Sequence, residues 1–245
     1  MTWGVAALVV VVATGAAFNQ AIVGFGFSLL AVPLLSVATP ASRAVVIVSL
    51  IGVPVTVVMA IRHRDDAEWA AARAITLASL AGMPLGLVVL TIMSDSGLRF
   101  IIGGVVLVLA TLIASGLRIH RGIRVVNLVT GFVSGALSTS TGTNGPPLVV
   151  GLRARGLSAQ QFRATISVVF AVSGVVSLVL FAAVGRIDGD ALSSAALGYP
   201  FVALGWFIGD RLAPRVDERF FGRLVVALLY ASAVSAIVTA FARST

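Results

Sequence analysis

Between residues 135 and 152 the chain reads GALSTSTGTNGPPLVVGL. Ser138, Thr139, Ser140, Thr141, Thr143 and Asn144 crowd together there, interrupted by Gly142 and closed by Gly145 and a Pro-Pro step. Hydroxyls and a carboxamide so close together can do two kinds of chemistry. One is nucleophilic attack by Ser138 or Ser140, which needs a neighbouring base to take the hydroxyl proton. The sequence offers no such base: His63 and His120 sit among arginines between apolar runs, there is no HExxH pair, and no carboxylate dyad falls inside an apolar run. A hydrolase is therefore the enzymatic alternative, and its serine lacks a partner. The other chemistry is recognition without reaction. Pro146 and Pro147 suit the first turn of a helix, where a missing N–H would have had no partner in any case. A helix starting there aims its free N–H groups and positive dipole end back at the polar cluster, an arrangement that holds anions.

A second cluster, in FNQAIVGFGFSLLAVPLL at residues 18–35, has the same plan of amides, a glycine break and a short apolar run. Asn19 and Gln20 are expected to face the ligand, with Gly24 and Gly26 at the turn. The plainer alternative is that the amides join helices and the glycines let them pack. Arg43 and Arg163 stand at matched places near the starts of two apolar runs. A guanidinium there grips an oxyanion through two parallel hydrogen bonds or reaches back to lipid headgroups, and the second reading is the simpler. Pro84 in GMPLG and Pro200 in GYPFVALG fall in mid-segment, where proline frees a carbonyl and kinks a helix; they are packing kinks or hinges.

The elements that must position these residues are set by composition. The chain has 245 residues, 59% hydrophobic and 11% charged, with mean hydropathy +1.10. Soluble domains carry about 25% charged residues, so the solvent of this chain is lipid. Its net charge of +8 comes from arginines scattered singly between apolar runs, which read as topology signals and give no stripe for nucleic acid. Cysteine is absent, which excludes disulfides and thiolate metal sites, and no cofactor or metal is expected. The N-terminus lacks the basic region of a signal peptide and runs on into apolar sequence, as expected of a retained first helix.

Apolar runs are marked at Trp3–Val23, Phe25–Ala38, Ala41–Ile61, Ala74–Met93, Phe100–Leu117, Val125–Leu137, Pro147–Leu152, Ala164–Gly185, Ala191–Ile208 and Phe220–Ala242. A span needs roughly 20 apolar residues, so Phe25–Ala38 and Pro147–Leu152 are too short, and each follows a Gly-rich polar break. The order repeats. Arg43-Ala44 and Arg163-Ala164 lie 120 positions apart, as do Arg99-Phe100 and Arg219-Phe220. The loops with Arg62, Arg64 and Arg73, with Arg118, Arg121 and Arg124, and with Arg153, Arg155 and Arg163 carry most of the arginine. Placing all three in the cytoplasm turns Val125–Leu152 into a hairpin that leaves and returns on that side, and the repeat makes Trp3–Ala38 a hairpin from the opposite face. The expected fold is thus an all-α polytopic membrane protein of two inverted-topology repeats, residues 1–117 and 125–245, joined by a cytoplasmic linker at 118–124. Each repeat is a broken-helix or re-entrant hairpin followed by three transmembrane helices, and both termini lie outside. Open backbone at membrane depth is tolerated only against protein or a wet cavity, and inverted repeats with broken helices point to a transporter with a midplane site.

GFGFSLLAVPLL in the first half, and GTNGPPLVVGLRARGLS followed by FRATISVVF in the second, resemble the sulfite exporter TauE/SafE family of membrane permeases over nearly the whole chain. The family has a glycine triplet before its VPLL element; here Gly26, Phe27 and Ser28 occupy those places, so bulk stands where the backbone approaches closely. The resemblance implies a bacterial inner-membrane permease for a small anion such as sulfite or an organosulfonate. Its expected partners are that anion and the bilayer, with binding by Asn19, Gln20, Gly24, Gly26 and residues 138–145, joined by Arg43 and Arg163 if they clamp. A non-transporting membrane scaffold is the alternative from a different class.

Overall fold

The computed structural model describes residues 3–115, 123–153 and 155–212, with Ala227, Tyr230, Val234, Ile237, Val238 and Phe241 nearer the C-terminus. Arg118, Arg121 and most of the expected last span lie outside the described residues. Among those described there is no strand and there are nine α-helices: α1 Trp3–Val23, α2 Phe27–Ser36, α3 Ala41–His63, α4 Trp69–Ile92, α5 Asp95–Ser115, α6 Ile123–Ser140, α7 Gly145–Arg153, α8 Ala159–Ala183 and α9 Gly189–Leu212. Five stretches, Trp3–Ile22, Ala41–Asp66, Trp69–Ile92, Gln160–Ala183 and Gly189–Leu212, are long and apolar enough to cross a bilayer. The chain is a membrane protein. Its outer surface agrees: Leu77, Ile92 and Val179 are more than half exposed, while Ser79, Thr139, Thr141 and Ser173 are wholly buried. A water-soluble bundle would show the reverse.

Small residues decide which helices touch. At the α4–α6 crossing, Gly82 and Gly86 meet the Phe132 and Ala136 carbonyls, and Gly131 and Gly135 meet those of Ile75 and Ser79. Each pair has the small-xxx-small spacing that lets membrane helices approach closely. Gly205 and Gly209 of α9 lie the same way on Thr14 and Phe18 of α1. The long helices α3 and α8 pack against each other between these two pairs, with Gly174 of α8 making room for Val53 of α3.

Polar ties gather the helix ends at the two ends of the bundle. At one end the Asp95 carboxylate accepts the Ala41 N–H at the start of α3 (2.6 Å) and the Arg99 Nε–H (2.8 Å), and Arg99 also donates to the Thr39 carbonyl (2.7 Å). Arg43 pairs there with Asp188 at 2.8 Å and Asp190 at 3.5 Å. At the other end Arg155, beyond α7, pairs with Glu68 at 2.6 Å, and Gln160 donates to Asp66 at 2.8 Å. The loop after α3 and the loop after α7, two of the arginine-rich loops, therefore share one end.

The helix bounds differ from the marked runs where hydroxyls find partners. α6 continues past Leu137 to Ser140 because Ser140 donates to the Ala136 carbonyl (2.6 Å) and Thr141 to that of Leu137 (3.1 Å). Such bonds satisfy the side chains inside the helix, so the polar cluster is half helix and half break. α2 and α7, at ten and nine residues, rise about 15 Å each, about half a hydrocarbon core.

Candidate functional site

Each short helix begins at a glycine-led break. Before α2 the chain turns at Gly24 (φ 87°) and Gly26 (φ 99°), and before α7 at Gly142 (φ 68°), all left-handed values that only glycine adopts readily. Asn19 secures the first break by donating to the Phe25 carbonyl at 3.3 Å. A Cβ on Gly26 would press to 2.8 Å on that same amide nitrogen. The two tips meet, since a Cβ on Gly145 would lie 3.5 Å from the Phe25 ring and one on Gly142 would lie 3.1 Å from Val32 of α2.

A cavity of about 60 Å³ lies between the tips, where α3 and α8 flank them. One water fills about 10–15 Å³ on this scale, so the space suits a few waters or one small polyatomic ion. Gln20 enters from α1, Gly26 to Leu29 from the first turn of α2, Ser138 from α6 and Gly142 to Gly145 from the second break. Ser49, Gly52, Val53 and Thr56 line it from α3, and Phe170, Gly174 and Ser177 from α8.

The donors are unequal. In α2 the first intrahelical donor is the Leu30 N–H, bonded to the Gly26 carbonyl at 3.2 Å, which leaves the N–H groups of Phe27, Ser28 and Leu29 as open donors of the first turn. In α7 the opening sequence Gly145-Pro146-Pro147 leaves only Gly145 with an N–H among the first three residues. Gln20 is 4% exposed, and among the described residues its carboxamide has no hydrogen-bond partner. On the far wall Asn144 donates to Ser138 (3.4 Å), Ser138 and Ser177 hydroxyls lie 3.1 Å apart, and Ser134 donates to the Asn144 carbonyl (3.0 Å). These bonds hold the second break against α6 and α8.

Of the residues singled out in the sequence, Gln20, Gly26, Ser138, Gly142, Thr143, Asn144 and Gly145 line the cavity. Asn19 and Gly24 stand behind the first turn. Thr139 faces α4 and donates to the Met83 carbonyl (2.7 Å), while Ser140 and Thr141 bond within α6. Arg43 is engaged by Asp188 and Asp190. Arg163 lays its stem over Gly24, where a Cβ would meet its Cγ at 3.1 Å, and is exposed as a residue. Pro84 and Pro200 sit on the exposed faces of α4 and α9. Sequence reasoning missed Ser49, Thr56, Phe170 and Ser177. A signal was present: Ser49 and Gly52, and Gly174 and Ser177, are three apart and so share one helix face, an unusual pairing in mid-span.

The profile of the family described as Sulfite exporter TauE/SafE matches residues 8–236. The chain belongs to this family. A curated relative, the probable sulfite/organosulfonate exporter TauE of Cupriavidus necator, is 23% identical over 204 residues, covering 80% of each chain. No solved structure matches the chain. Against the TauE/SafE glycine triplet, the bulk of Phe27 is accommodated by the chain itself. The Phe27 ring is buried against Gly52 of α3, where a Cβ would come within 3.1 Å of it, and Phe27, Ser28 and Leu29 all line the cavity.

Proposed function

We propose that this TauE/SafE protein is a secondary permease of the bacterial inner membrane for a small anion, a sulfur oxyanion such as sulfite or an organosulfonate. The anion sits between the two hairpin tips and is exposed to each side in turn. The observation that carries this reading is the shared cavity: two broken helices converge on it, the first turn of α2 offers open N–H groups, and the buried Gln20 amide beside them has no protein partner. Donors left open in a buried space are costly unless a guest or water takes them. The binding set is Gln20, the first turn of α2 from Gly26, Ser138 and the break from Gly142 to Gly145. Asn19 and Gly24 position that set, and Thr139, Ser140 and Thr141 hold α6 together behind it.

An inverted repeat is supported by pairs of equivalent contacts. Glu68 and Asp188 are 120 positions apart. Glu68 accepts the Ala71 N–H at the start of α4, and Asp188 accepts the Ala191 N–H, also 120 positions on, at the start of α9. The two acids lie at opposite ends of the bundle, as halves of opposite topology require. The two closest helix pairs, α4 with α6 and α1 with α9, exchange under the same offset. By arginine placement the end with Glu68 and Arg155 is cytoplasmic and both termini are outside. Rocking of one half against the other gives alternating access.

The test is binding, then flux. Purified protein is screened by thermal shift with sulfite, methanesulfonate, sulfate, thiosulfate and simple carboxylates, and each hit is followed into proteoliposomes. Stabilisation by a sulfur oxyanion with saturable flux is expected. A folded protein that neither binds nor moves any of them would refute the reading.

A further inference from the structure

We infer that the cavity selects by charge, admitting singly charged oxyanions and rejecting doubly charged ones of similar size, so that sulfite enters as hydrogen sulfite. The inference rests on the anion-site reading above and goes further by naming the ionic form. Its ground is the nature of the lining. The polar side chains that line the space are all neutral, the amides of Gln20 and Asn144 and the hydroxyls of serines and threonines, and among the described residues no arginine, histidine or carboxylate lines it.

The charged groups nearby are committed elsewhere. Arg43 is held by Asp188 and Asp190, Arg99 by Asp95 and Arg155 by Glu68, all at the bundle ends. Arg163 passes Gly24 with its stem, is exposed as a residue and is not among those that line the cavity. Positive potential in the cavity therefore comes from the two half-helix N-termini, roughly half an elementary charge each. Together they match one negative charge. A second charge taken out of water without a partner is strongly disfavoured.

Donor supply points the same way. Neutral groups can hold a dianion only in large numbers, and Pro146 and Pro147 strip two N–H groups from the first turn of α7. What remains is concentrated on one side, at Phe27, Ser28 and Leu29 with the Gln20 amide, itself 4% exposed and without a protein partner. On the far wall the polar groups are already engaged, Asn144 donating to Ser138 and Ser138 sharing a bond with Ser177, and Phe170 and Val53 add apolar surface to the lining. Free donors on one side, and mutually bonded hydroxyls with apolar surface elsewhere, fit an ion with one charged head, as a sulfonate has.

The experiment measures binding to the unmodified protein in lipid nanodiscs, so no variant has to fold. Methanesulfonate stays singly charged across the working range, while sulfite passes from one charge to two near neutrality. The apparent Kd for total sulfite is expected to rise with pH above that ionisation by about tenfold per unit, the slope of a single proton, while that of methanesulfonate stays flat. Sulfate and thiosulfate are expected not to displace bound methanesulfonate. Sulfite affinity that is level or grows with pH, or displacement by sulfate as effective as by hydrogen sulfite, overturns the charge selection and leaves the anion site standing. Failure of every anion to bind rejects the site and the selection together.

Discussion

Replacing Gln20 with methionine separates a binding role from a structural one. The two side chains are similar in length, so the space is kept and the amide is lost. Gln20 is 4% exposed and without a partner among the described residues, so the change removes no internal hydrogen bond and Tm is expected to hold or rise slightly. Binding should behave differently. A hydrogen bond to a charged partner contributes about 1.5–3 kcal/mol, and each 1.4 kcal/mol is tenfold in affinity, so Kd for methanesulfonate should rise roughly 10- to 100-fold. The comparison is Thr139→Val, whose hydroxyl donates to the Met83 carbonyl at 2.7 Å across the α4–α6 crossing. That variant should lose about 1 kcal/mol of stability and bind as the parent does. Thermal unfolding and calorimetric titration on both proteins decide the matter. If Gln20→Met loses stability with unchanged Kd, or Thr139→Val loses affinity at full stability, the division of the two clusters into donors and supports is wrong.

Three further outcomes follow from other contacts. Pro54 cannot donate to the Leu50 carbonyl one turn back, and the Tyr199 hydroxyl takes that role at 3.1 Å. Tyr199→Phe should therefore lower stability by about 1–3 kcal/mol, and adding Pro54→Ala should recover part of it by restoring the N–H, both read by Tm. The Ala191 N–H, aided by Arg43 and opposed by partial burial, holds the Asp188 carboxyl below its ordinary range. Because its folded value is lowered, its stabilisation is present above the usual carboxylate value of about 3.9 and is lost as pH falls through the lower folded value. The Tm difference between parent and Asp188→Asn should stay level from neutral pH to about 5 and close only in stronger acid. Lastly, cysteines at Ala67 and Ser96, introduced singly into a chain without thiols, should label from opposite faces of the membrane, and same-side labelling would overturn the orientation.

Much of this fold was legible because lipid constrains it so heavily. Long apolar runs had to be helices, and the two that were too short had to belong to breaks. Ser138 to Asn144 were harder to divide. Composition marks the cluster as polar but does not say which hydroxyl turns inward, and the structure settles each case by the nearest free carbonyl. Thr139 finds Met83 on another helix, Ser140 finds Ala136 on its own, and Ser138 is left for Ser177 and Asn144. Ser49, Thr56 and Ser177 escaped notice because single hydroxyls in apolar helices are common and bond to their own backbone, as Ser49 and Thr56 do here. Phe27 was hard to place for a different reason. It lines the cavity and its ring packs on Gly52, which lies 25 positions further on and is not legible as its partner from the sequence.

In the proposed rocking, the contacts at the bundle ends decide what must break. The Glu68 and Asp188 carboxylates each hold two bonds, one to the N-terminus of the helix that follows and one to an arginine far away in the chain, Arg155 at 87 positions and Arg43 at 145. The proposed movement of one half against the other breaks the arginine bonds, and at Glu68 also the backbone N–H bond to Thr165 (2.9 Å), while each helix stays capped. The two latches are unequal. Arg155 and Glu68 are 17% and 29% exposed, whereas Arg43 and Asp188 are 36% and 43% exposed. Water competes more freely for the second pair, which by the measure of surface ion pairs contributes about 1 kcal/mol or less. The more buried pair approaches the 1.5–3 kcal/mol of a charged hydrogen bond. In the proposed alternating access, an anion shifts the balance between the two openings only by the difference in its affinity for them.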